Sequence, residues 1–128
     1  MSEGRLHDGF LPGRFPIDAY GNGGFRFGGM SHRGSILVLP SGIKAWDAVA
    51  PGDVTLASLQ PVLDEAAQVE LLLVGIGHDL VRLPAGVVER LRGAGLRIEV
   101  MQTGAAARTL NVLLGENRRV AAALLAVA

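Results

Sequence analysis

The chain has 128 residues, 49% of them hydrophobic and 19% charged, so it can bury a real core and is not a disordered polymer. Its 12 basic and 12 acidic residues cancel to a formal net charge of zero, which argues against nucleic acid as a partner. It has no cysteine, which excludes disulfides, thiolate metal sites and cysteine nucleophiles together.

Residues 1–15 are polar and contain glycine, and are expected to form a mobile arm or an edge segment ahead of a single α/β domain over residues 16–128. Glu3, Arg5, His7, Asp8 and Arg14 leave no room there for the apolar core of a signal peptide. The final apolar run is about 8 residues, against the roughly 20 a membrane helix needs, so no direct membrane insertion is expected and the protein reads as cytoplasmic. More than half of the 18 glycines precede Pro51, which predicts turns and short strands in that half. A strand is expected to begin near Phe15, with Pro16 at its start. Gly21-Asn22-Gly23-Gly24 is a turn, because Asn and Gly tolerate positive φ. Phe25-Arg26-Phe27 alternates, so both Phe side chains share a face, and residues 30–33 supply a further short strand. Residues 35–39 form a buried strand stopped by Pro40; after a turn at Ser41-Gly42 residues 43–46 return beside it, with Trp46 over a sheet face. Residues 47–53 link this antiparallel half to the second.

In the second half Thr55 or Ser58 caps a helix that presents Leu56, Leu59, Leu63 and Ala66 on one side, with Pro61 in its first turn. Leu71-Leu72-Leu73-Val74 does not alternate, so it reads as a central strand covered on both faces, ending in Gly75-Ile76-Gly77. A helix is expected over residues 84–94, opening on Pro84, with Val87, Val88, Leu91 and Ala94 inward. The strand over residues 96–101 has an apolar face, Leu96, Ile98 and Val100, and a charged one, Arg97 and Glu99, so it is only half covered. Thr103 caps the last helix, whose inner face is Ala106, Leu110 and Leu113. The run over residues 120–127 is helical by propensity alone; the short turn before it, after a helix that must return to a sheet, makes it a strand. The second half is therefore βαβαβ.

Few residues offer chemistry. Gly75-Ile76-Gly77 lacks the third glycine of a dinucleotide fingerprint, since Leu80 stands there, so a tight turn competes with nucleotide binding. Thr103-Gly104-Ala105-Ala106 opens a helix with almost no side chain in the way, which suits a small anion or carboxylate, with Arg108 one turn in. The competing reading is a plain cap, with Arg108 paired to an acid such as Glu116. His7, His32 and His78 show no ligand spacing, so no metal and no cofactor is expected. His78-Asp79 is the acid/base-looking pair, and no serine sits in a nucleophile elbow, so no catalytic residue is assigned. Ala107, Val112 and Leu114 are apolar beyond what one buried helix face requires; either a β layer or a partner covers them.

The run from Met101-Gln102-Thr103-Gly104-Ala105-Ala106-Ala107-Arg108 to Asn111, with Leu113, Glu116, Arg118-Arg119 and Val120-Ala121-Ala122-Ala123-Leu124, resembles the signature of the domain-of-unknown-function 498 family, which includes mitochondrial complex I assembly factor 3. Phe27 and its glycines, Pro40-Ser41-Gly42, Trp46 and Leu72 to Gly77 extend the resemblance from Ile17 onward. The chain departs from the family pattern at Ile76, Leu110 and Asn117, where threonine, tyrosine and glycine are usual. The resemblance implies a three-layer α/β fold with a mixed sheet, no established enzymatic activity, and, for the mitochondrial members, help in assembling respiratory complex I. Two functions stand as expectations. The first is a non-enzymatic domain acting through protein contacts, in assembly of complex I or another membrane complex, with Val112 and Leu114 on the partner surface and a homo-oligomer allowed. The second is a small-anion or small-molecule-binding protein, with an enzyme not excluded, using Gly75, Gly77, His78, Thr103, Gly104, Arg108 and Asn111 at the strand ends.

Overall fold

Alternating side chains on a single six-stranded sheet divide the core in two. The computed structural model describes residues 9–128. Its strands are β1 (Phe10–Pro12), β2 (Ala19–Gly21), β3 (Gly24–Phe27), β4 (Met30–Arg33), β5 (Ser35–Val38) and β6 (Gly42–Trp46), then β7 (Leu71–Gly75), β8 (Arg97–Met101) and β9 (Val120–Leu124). The helices are α1 (Gln60–Asp64), α2 (Val87–Gly93) and α3 (Thr103–Gly115). The large sheet runs β1-β6-β5-β9-β7-β8, and β2-β3-β4 forms a small one. β7 is parallel to both β8 and β9, while β5 is antiparallel to β9 and β6, so the sheet is mixed.

Leu37, Leu72, Val74, Ala121 and Ala123 point to one face, where Leu59 and Val62 of the α1 region and Val87 and Leu91 of α2 cover them. Ile36, Val38, Leu73, Ala122 and Leu124 point to the other, against Ala106 and Leu110 of α3 and against Ile17, Phe25 and Phe27 of the small-sheet region. The result is three layers: α1 and α2, the six-stranded sheet, then α3 beside the small sheet. This explains the non-alternating apolar run at β7, since Leu72, Leu73 and Val74 are each fully buried with successive side chains on opposite faces.

Of the strand expected over residues 120–127, residues 120–124 form one, inserted between β5 and β7, and residues 125–127 continue without regular structure. The antiparallel pairing of β5 with β6 and the half-covered β8, an edge strand, are also as read. The first eight residues of the expected arm lie outside the described residues; its remainder contains β1, which pairs with β6. Several local expectations need correction. The strand expected from Phe15 begins only at Ala19, as β2. Pro84 does not open α2: a turn runs from its carbonyl to the Val87 amide, Gly86 takes a left-handed φ of 82°, and the helix starts at Val87. With the helix this short, Val88 is only half-buried and Ala94 is exposed. Thr55 and Ser58 do not cap α1 itself; they close the turn before it, the Ser58 amide donating to Thr55 Oγ1 (3.1 Å) and the Thr55 amide to Ser58 Oγ (3.0 Å). Trp46 covers the sheet as expected and donates from its indole nitrogen to the Ser58 carbonyl at 2.9 Å, which ties that turn down.

Candidate functional site

The carboxyl ends of the parallel strands are where a ligand site would be sought in a sheet of this kind. One extended residue, Gln102, separates β8 from α3, so the helix begins hard against the end of β7. Thr103 is the first residue of that helix and is fully buried; it does not cap α3, whose N-cap is Gln102, without a side-chain cap bond. Its hydroxyl donates to the Leu125 carbonyl (2.8 Å) and accepts from the Gly77 amide (2.9 Å). Its own amide donates to the Gly77 carbonyl at 2.9 Å. The Leu125 amide donates to the Gly75 carbonyl (2.8 Å), and the Ile76 amide to the Met101 carbonyl (3.0 Å). One buried hydroxyl thereby locks the ends of β7, β9 and the start of α3.

Gly75 belongs to the same lock. A Cβ on it would lie 2.9 Å from the Thr103 Cα and 3.1 Å from the Ala106 Cβ, so its missing side chain is what lets α3 lie close on β7. Gly77 has a φ of +99° and opens to empty space. The His78 side chain is exposed beside Asp79, and its carbonyl accepts from Gln102 Nε2 at 2.6 Å.

The helix start is covered from outside. A Cβ on Gly104 would collide with the Tyr20 hydroxyl and lie 2.7 Å from the carbon that bears it, so the phenol of β2 lies on the small residue that opens α3. Arg108 Nη1 donates to the same hydroxyl at 3.5 Å. Asn111 binds the backbone of Ile17 at both ends: Oδ1 accepts from the Ile17 amide and Nδ2 donates to the Ile17 carbonyl, each at 2.8 Å. It imitates a strand edge and holds the approach to the small sheet against α3. Thr103, Gly104, Arg108 and Asn111 lie along α3, with Gly75 of β7 against its start, but as fastenings between layers. Tyr20 and Ile17 are the members the sequence did not disclose; the tiny residue at 104 was the signal that something lies on it.

Electrostatics are muted here. The carboxyls held below their ordinary range lie elsewhere. Asp53 accepts from the Val49 and Ala50 amides (2.9 and 3.0 Å), which stabilises its charge. Glu70 is lowered by a hydrogen bond from Arg118 at 3.0 Å and by that charge. Among the described residues no three His, Cys, Asp or Glu side chains gather as a metal site would need. A cavity of about 260 Å³ is lined by Asp18, Ala19, Arg26, Gly29 and Met30, on the small sheet and away from the strand ends. Of the surplus apolar residues on α3, Ala107 is buried in the core that includes Phe25 and Phe27, and Leu114 packs against its margin. Val112 stays 59% exposed.

Known proteins share this fold and sequence. The family model for proteins of unknown function DUF498/DUF598 matches residues 17–125. An uncharacterized protein of Rhodobacter capsulatus is 45% identical over 88% of this chain and 86% of its own length. The NADH dehydrogenase [ubiquinone] 1 alpha subcomplex assembly factor 3 of Danio rerio is 36% identical over 85% of this chain, and the match spans 63% of that protein. Among solved structures, an outer membrane protein from Bartonella henselae is 52% identical, with a TM-score of 0.88 over 92% of this chain and 99% of the other.

Proposed function

We propose, from the premise that this chain belongs to the DUF498/DUF598 family, that it acts through protein contacts in the assembly of respiratory complex I or another membrane complex. The observation that carries this is the extent of its similarity to a protein named as a complex I assembly factor, which spans 85% of the chain. The geometry is compatible with a binding module. The strand ends are closed by internal hydrogen bonds, and the helix start is covered by Tyr20. Val112 offers an apolar side chain on the outer side of α3, and is the natural first contact to test. Among the described residues no helix is long and apolar enough to cross a membrane.

The test is a deletion in a cell that carries both this chain and complex I. Loss should lower the amount of assembled complex on a native gel, with subassemblies accumulating. Wild type should restore it, and Val112→Asp should restore it less well while staying folded. Normal complex I and unchanged assembly of other membrane complexes in the deletion strain would sink the proposal.

A further inference from the structure

β8 closes one edge of the large sheet, and among the described residues no strand pairs with its outer side. The direction of its free backbone groups can be read from its bonds. The Arg97 amide donates to the Glu70 carbonyl (3.2 Å), and the Met101 carbonyl accepts from the Ile76 amide (3.0 Å). Residues 97, 99 and 101 therefore turn their backbone groups toward β7. Ile98 and Val100 turn theirs outward. The side chains alternate as well: Arg97 and Glu99 are exposed on one face, while Ile98 and Val100 are half-buried against the core on the other.

Edge strands are usually protected by charge, and Arg97 and Glu99 would discourage a generic strand. They do not discourage an antiparallel copy of the same strand. With a two-fold axis at Ile98, Arg97 faces Glu99 of the second copy, and Glu99 faces its Arg97. Ile98 faces Ile98, and Leu96 faces Val100. The outward groups of Ile98 are then in the hydrogen-bonded position, each amide donating to the other copy's Ile98 carbonyl. The two Arg–Glu pairs fall at non-hydrogen-bonded positions, where side chains come closest. Neither residue forms a salt bridge within the chain among the described residues; Arg97 adds only a minor attraction to Glu70, which is bonded to Arg118.

We propose that β8 is a self-recognition edge, through which two copies of this chain join their large sheets about a two-fold axis at Ile98, with reciprocal Arg97–Glu99 pairs selecting the register. The inference does not depend on the assembly reading. The contact is short, because the Leu96 amide already donates to the Leu91 carbonyl, so the dimer is weak and concentration-dependent.

Sedimentation velocity on the full chain, from roughly 10 µM to roughly 1 mM, tests it. Wild type should shift from monomer toward dimer across that range. Arg97→Glu and Glu99→Arg should each weaken association by at least roughly tenfold, because both pairs become like-charged. An equimolar mixture of the two variants should associate again, since the two acids on one variant's strand then meet the two bases on the other's across the axis. The double exchange should also self-associate. Circular dichroism confirms that each variant is folded. A wild type that stays monomeric overturns the proposal. So does a dimer that the single charge changes leave intact, because its interface lies elsewhere, and so does a mixture that fails to recover association.

Discussion

Thr103 shows how much one hydroxyl can hold. Its Oγ1 is both donor to Leu125 and acceptor from Gly77, in a fully buried position. Valine has nearly the same shape but can do neither. Thr103→Val should cost about 1–3 kcal/mol, because the buried Leu125 carbonyl loses its donor and the part-buried Gly77 amide its acceptor. Thr103→Ser keeps both bonds and should cost less than half as much; urea denaturation of the two variants measures the difference. The neighbouring glycines separate in the same experiment. Gly75→Ala drives a Cβ into the Thr103 backbone and should cost about 1–3 kcal/mol or more. Gly104→Ala meets only the end of the Tyr20 side chain, which is 42% exposed and can swing away. That change should be neutral, or stabilise by up to about 1 kcal/mol through helix propensity. If Gly104→Ala proves as costly as Gly75→Ala, Tyr20 is held in place more firmly than its exposure implies.

Elements are legible in the sequence where a local pattern determines them. The four apolar residues of β7, the alternation of Phe25 and Phe27, and the Leu96-Ile98-Val100 stripe each produce the strand they suggest. The start of α2 departs from its pattern: a proline suits a first helical turn, whereas here the left-handed Gly86 sets the boundary. What no pattern can show is contact between distant elements. Asn111 faces away from the inner face of α3 by helical spacing, yet it is half-buried because Ile17 lies 94 residues earlier in the chain and docks on it. Asn111→Ala should cost about 1–2 kcal/mol and leave the Ile17 amide bonded to water. Hydrogen exchange should quicken at Ile17 and at β2 while the amides of β7 and β9 keep their protection. Asn111→Asp is a sharper probe. It retains an acceptor for the Ile17 amide but sets an anionic oxygen against the Ile17 carbonyl, and should be at least as harmful as alanine. Uniform loss of protection across the whole chain would mean that the docking of this segment is not a separable unit.

At the level of the whole molecule, the two faces of one sheet explain most of the composition. Ala121, Ala122 and Ala123 occupy the centre of β9 because that strand sits between β5 and β7 with packed layers on both faces. Helical propensity points the other way, and tertiary packing overrides it. The fastening of the third layer is not readable, since Tyr20 on Gly104 and Ile17 on Asn111 join residues with no common local pattern. At the opposite end of the parallel strands, Glu70 before β7 bonds Arg118 before β9, and Arg14 donates to the Arg118 carbonyl at 3.0 Å. This clasp makes stability depend on pH in a definite direction. Arg118, by hydrogen bond and then by charge, holds the Glu70 carboxyl below its ordinary 4.5, so in acid the unfolded chain binds this proton first. The pair therefore stabilises the fold above the ordinary carboxylate range, and its contribution disappears as pH falls through the lowered value. Wild type should be more stable than Glu70→Gln at neutral pH, and the gap should close as pH falls through and below the lowered value. Because both side chains are substantially exposed, the gap is small and should shrink in high salt. Urea midpoints for both proteins across that range measure it. A gap that does not change with pH would mean that the Glu70 stem contributes by packing, and that the charge pair at the base of the sheet adds nothing to folding.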